Sequence, residues 1–151
     1  MNTTKTACLA ACATMLLQAT ATMTPAVAQE NNACPVDGCT AYFTTASNNG
    51  EEVTLTVESN FLPDMSKNHF HIWWGENFTV QQVSANAETV SNVTQGDWHP
   101  TSEYPNYTTA SAASTTVRNG ATTLCISPAD RNHDILDFNQ VHCVDLAEIL
   151  D

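Results

Sequence analysis

Between residues 53 and 58 the chain alternates without a break: Val53, Leu55 and Val57 are apolar, and Thr54, Thr56 and Glu58 are polar. A period of two marks a strand with one face buried and one exposed, so residues 51–59 are expected to form one. The run from Thr40 to Thr45 has a strand-forming composition of threonine and aromatic residues. Between the two, Ser47-Asn48-Asn49-Gly50 is a hairpin signal, because Asn-Gly tolerates the left-handed backbone of a tight turn. Pro63 closes the second strand, since it has no N–H to give to a ladder.

The segment from Asn68 to Phe78 is the most apolar beyond the N-terminus and holds His69, Phe70, His71, Ile72, Trp73 and Trp74. As a central strand it sends Phe70, Ile72 and Trp74 into the core and His69, His71 and Trp73 to the opposite face. Gly75-Glu76-Asn77 then turns the chain out. Residues 78–96 lack a clear period: Phe78 to Val83 suits either a strand or a short helix, and the rest reads as loop. Trp98 to Tyr107 reads as an aromatic loop punctuated by proline, and long ordered loops often carry function. After a weak strand or two in residues 107–117, Arg118-Asn119-Gly120-Ala121 forms a turn. Residues 122–127 make a strand with Leu124 and Ile126 on one face and Cys125 on the other. A loop from Pro128 to Asp134, a closing strand over residues 141–146 and a final helical turn complete the chain. About seven short strands with turns between them and no long amphipathic helix predict an all-β fold. The expected architecture is an antiparallel β-sandwich, immunoglobulin-like or related, with a barrel as the alternative.

Composition changes where this domain begins and where it works. Lys5, the apolar run from Ala7 to Leu17 and Ala26-Val27-Ala28 follow the pattern of a secretory signal peptide cut after Ala28. Residues 1–28 are therefore expected to be removed, and residues 29–151 to form a single β-sandwich domain that is secreted or periplasmic. All 16 acidic residues lie beyond the cut, against Lys67, Arg118 and Arg131, so the mature chain carries a net charge of −13. Such a surface repels phosphate backbones and anionic lipid, which argues against nucleic acid and membrane surfaces as partners. No second hydrophobic span follows the signal, so no membrane insertion is expected.

Cys34, Cys39, Cys125 and Cys143 remain after cleavage, an even number that reads as a disulfide framework in an exported domain. Three connectivities exist for four cysteines. The favoured one is Cys34–Cys39, closing the turn-forming Pro35-Val36-Asp37-Gly38, with Cys125–Cys143 tying the last strands. The second bridge would restrict the unfolded chain by about 3 kcal/mol.

The candidate chemistry lies on the strand that begins at His69. Imidazoles at i and i+2 on one strand face stand side by side and can share an ion, and imidazole suits copper and zinc. His69 and His71 are thus candidate metal ligands, with His99 as the additional ligand put forward; His133, His142, Asp97 and Glu76 are also available. The bland alternative is a polar strand face whose histidines are hydrogen-bonded or stacked on Trp73. Trp73, Trp98, Tyr104 and Tyr107 are candidate contacts for a glycan or a protein partner, because aromatic rings serve both. No nucleophile elbow and no H-E-x-x-H is present, so the chain reads as a binding module rather than an enzyme.

The nine residues from His69 to Asn77 resemble the copper-ligand strand of copper–zinc superoxide dismutases, where an H-x-H pair on a sandwich strand precedes a Gly-Asp-Asn-type turn. The resemblance implies that His69 and His71 ligate copper and that a copper-dependent redox enzyme is the alternative to a binding module. That family's glycine-rich zinc loop, late histidine and steering arginine have no counterpart here. A structural module of an extracellular assembly is the third reading.

Overall fold

The structure is a computed structural model that describes residues 32–48, 52–109 and 118–150. The expected signal peptide and the tip of the first hairpin lie outside the described residues. Among the described residues seven strands alternate with turns: β1 (Ala41–Asn48), β2 (Val53–Ser59), β3 (His69–Trp74), β4 (His99–Thr101), β5 (Asn106–Thr108), β6 (Thr123–Ala129) and β7 (His142–Asp145). A short helix, α1 (Leu146–Ile149), ends the described chain, and the Asp145 carboxylate caps it by accepting the Ala147 N–H at 2.8 Å.

Two antiparallel sheets result, one ordered β1-β2-β5 and the other β4-β3-β6-β7. Facing each other across one core, the two sheets make an antiparallel β-sandwich. The alternation in β2 is realised as expected: Val53, Leu55 and Val57 are buried, and Glu58 is exposed. They meet Phe70, Ile72 and Trp74 from β3 and Leu124 and Ile126 from β6 in one core, joined by Phe43, Phe61 and Tyr107. Each such side chain contributes roughly 1.5–3 kcal/mol by leaving water.

Both cysteine pairs are disulfide-bonded, Cys34 to Cys39 and Cys125 to Cys143. Cys125 and Cys143 sit directly opposite each other in the β6–β7 ladder. Gly75 follows β3 where a Cβ would lie 2.8 Å from the Cys125 sulfur, so the chain can turn there only without a side chain.

Two regions differ from the sequence expectation. Residues 98–107 are not a loop throughout, because β4 adds to one sheet and β5 to the other, with the cis Tyr104–Pro105 bond in the crossing between them. Residues 78–96 are neither strand nor ordinary helix. They run through turns and one π-helical turn, Ala87–Ser91, and lay Val83 over the outer face of the four-stranded sheet. Trp73 and Cys125 pack beneath Val83 in a second apolar cluster, with Phe78, Val80, Trp98 and Val141 around it. This sheet is therefore covered on both faces, and every residue of β3 is buried.

Candidate metal centre

β3 is an inner strand, paired to β4 and β6, which holds its backbone rigidly. The pleat sends His69 and His71 to the outer face, and the covering segments remove both from solvent, with 0% of either ring exposed. A buried imidazole needs partners for its nitrogens. His71 gives its Nδ1–H to the Val83 carbonyl at 2.7 Å, which leaves Nε2 as a lone-pair donor. His69 Nδ1 faces the Lys67 carbonyl at 3.4 Å, which directs its Nε2 toward the same point.

The third histidine arrives from the loop after β6. The Asp130 carboxylate organises that loop by accepting the N–H groups of Asn132 at 2.8 Å and Asp134 at 3.0 Å. His133 takes a left-handed backbone, φ 66°, which costs about 1 kcal/mol or more and is held by this frame. Its N–H donates to the Asp130 carbonyl, and its own carbonyl accepts the Ala85 N–H at 2.8 Å. His133 Nδ1 then lies 2.9 Å from His69 Nε2 and 3.3 Å from His71 Nε2.

Ser84, fully buried beside Val83, locks the two covering segments together. Its hydroxyl donates to Asn86 Oδ1 at 2.7 Å and accepts the Ile135 N–H at 3.1 Å. Asp134 accepts the Asn86 N–H at 3.0 Å. Trp98 stacks on the His71 ring with centroids 5.1 Å apart, and the His133 ring stacks on it at 5.5 Å.

Burial pushes His71 down to about 3, aided by the neighbouring His69 and His133 and opposed by the Val83 carbonyl and Asp130. Burial also lowers His69, with the Lys67 carbonyl and Asp130 opposing. Both strand rings are thus neutral at neutral pH, the form in which imidazole binds metal. Metal–nitrogen bonds of about 2.0–2.1 Å at a tetrahedral angle put ligand nitrogens about 3.3 Å apart. The three ligand atoms here all lie within 4.8 Å of one another. With both strand Nδ1–H groups given to carbonyls, one proton on His133 can satisfy only one of the two facing Nε2 lone pairs, whereas an ion satisfies all three nitrogens. The donor set fits a metal.

The other candidates go elsewhere. His99 does not join the cluster, and the pleat explains why: it pairs with Ile72, so it projects from the core face, where its Nδ1 meets the Tyr107 hydroxyl at 3.2 Å. His142 accepts the Phe43 N–H at 3.2 Å. Glu76, though burial opposes it, is held at about 2 by hydrogen bonds from Thr122 and Thr123 and anchors the turn after β3. Among the proposed contact aromatics, Trp73 and Tyr107 are buried rather than exposed, a correction that follows from the covered outer face and the inter-sheet core. The Trp73 indole N–H is given to the Phe78 carbonyl at 3.0 Å. Trp98 is half-buried against His71, and Tyr104 alone of the four is exposed.

His133 was one of several available residues in the sequence, and nothing in its spacing singled it out. The signal that could have found it is the Asp130-Arg131-Asn132-His133-Asp134 turn directly after a strand that pairs with β3, since Ala129 lies opposite His69. A β-sheet fold carrying this three-histidine cluster is compatible with metal binding. No family model, no curated protein and no solved structure matches the chain.

Proposed function

We propose that this protein is an exported β-sandwich module that binds one copper or zinc ion through His69, His71 and His133. The observation that carries the reading is the convergence of three imidazole nitrogens within 4.8 Å, two of them aimed by backbone carbonyls on the far side of the ring. Carbonyl partners of this kind fix the tautomer and raise ligand basicity in metal sites. Two disulfides fit an oxidising compartment, where Cu(II) and Zn(II) are met without cytosolic competition. Among the described residues no helix is long and apolar enough to cross a membrane.

Metal analysis and calorimetric titration of the untagged protein test the reading. One equivalent of Cu(II) or Zn(II) per chain, lost in the His69→Ala/His71→Ala double variant, is the expected result. An apoprotein that takes up neither ion and gains no thermal stability from either would refute it. Copper redox chemistry of superoxide dismutase type is the second reading, favoured by the paired strand histidines at His69 and His71. Superoxide turnover by the copper-loaded protein separates it from simple binding.

A further inference from the structure

We propose that the ion held by His69, His71 and His133 keeps one coordination position open and fills it with a small anion from solvent. The inference rests on the metal-binding reading above. Closed structural sites surround zinc with four protein ligands, whereas sites with three protein ligands leave the fourth position to water or an exogenous group. Among the described residues, His69, His71 and His133 are the histidine, cysteine and carboxylate side chains whose ligand atoms gather here.

Charge selects the class of that fourth ligand. Imidazole binds a metal in its neutral form, so three histidine donors leave the ion its full charge. Two of its ligands have no solvent exposure, and Coulomb attraction is far stronger there than in water. An anion replacing a bound water at this position gains accordingly.

Access comes from the loop side, because His133 is half-buried while both strand rings are fully buried. Two of the chain's four basic residues stand in the segments that deliver the ligands: Lys67, whose carbonyl faces His69, and Arg131, two residues before His133. Both are exposed. The nearby carboxylates accept N–H donors, Asp130 from Asn132 and Asp134, Asp134 from Asn86, and Asp64 from Ser66. Asp130 still acts on the strand histidines through its charge, so the pull on an anion is that of the ion itself, with Lys67 and Arg131 offsetting the carboxylates. Arg118 lies away from the cluster, over the Trp74 ring at 5.0 Å on the core-facing side of β3.

Cobalt(II) substitution with azide as the probe tests this. The visible bands of the stoichiometric Co(II) protein should shift and saturate as azide is added. Arg131→Gln should weaken azide about twofold, the effect of one exposed charge, and leave Co(II) uptake unchanged. Stoichiometric Co(II) whose bands ignore azide would mean a closed sphere and overturn this inference while leaving metal binding intact. An azide affinity untouched by Arg131→Gln would overturn the part given to loop charge. Failure to take up Co(II) at all would count against the metal-binding reading itself and remove this inference with it.

Discussion

On one face of β3, Phe70, Ile72 and Trp74 meet the facing sheet; on the other, His69, His71 and Trp73 lie beneath the segments that carry Val83 and His133. All six are buried. The inner face is stabilised by removal of apolar surface from water, which is non-directional and accepts any well-fitting apolar set. The outer face buries imidazoles, and a buried polar nitrogen without a partner costs about 1–3 kcal/mol. Every ring there is consequently tied to something specific: the Val83 carbonyl, the Lys67 carbonyl or another histidine. An antiparallel sheet commonly leaves one face to solvent. Here that second face is covered by two irregular segments, and the cover brings in the third histidine. One face fills space; the other places nitrogens.

The largest effect on the outer face should come from His69→Ala/His71→Ala, which removes stoichiometric Cu(II) and Zn(II) by metal analysis. On the inner face, Phe70→Ala should cost about 3–5 kcal/mol in denaturant unfolding and leave one metal site per folded chain. If both variants lost metal and stability alike, the two faces would not be separable.

Acid sharpens the same contrast in the apoprotein. His71 is held near 3 against an ordinary 6.5, so the unfolded chain binds a proton that the folded chain refuses. Stability from this group is fully present above pH 6.5 and is lost as pH falls toward 3, at about 1.4 kcal/mol per unit. His69, lowered in the same direction, adds to the slope. Urea unfolding of the apoprotein from pH 7 to pH 5 should show the loss, and His71→Gln should flatten it. An unchanged slope in that variant would mean the ring is not buried neutral.

Smaller effects test the cover. Ser84→Ala removes the hydroxyl that joins Asn86 to the Ile135 N–H; metal affinity should fall about 10-fold, the low end for supporting residues, with stoichiometry retained in calorimetry. His99→Ala should be smaller still: about 1 kcal/mol of stability from the lost Tyr107 contact and no change in metal affinity.

The core was legible in the sequence because alternation speaks directly of burial. Val53, Leu55 and Val57, then Phe70, Ile72 and Trp74, are on the inner faces that the period assigns them. His69 and His71 were legible as neighbours for the same reason. The third histidine was not, since His133 reaches His71 across 62 residues and His69 across 64 through loop hydrogen bonds that leave no periodic trace. Nor was the burial of the outer face, because residues 78–96 cover it without regular structure. His99 was misplaced for a reason the pleat supplies only after pairing is known: opposite Ile72 it must face inward.

X-ray absorption spectroscopy of the copper- or zinc-loaded protein tests the central claim most directly. Three imidazole nitrogens at about 2.0–2.1 Å, with the outer-shell scattering of three rings falling to two in His133→Ala, is the predicted result. A bound ion without imidazole scattering, or a spectrum indifferent to His133→Ala, would contradict it.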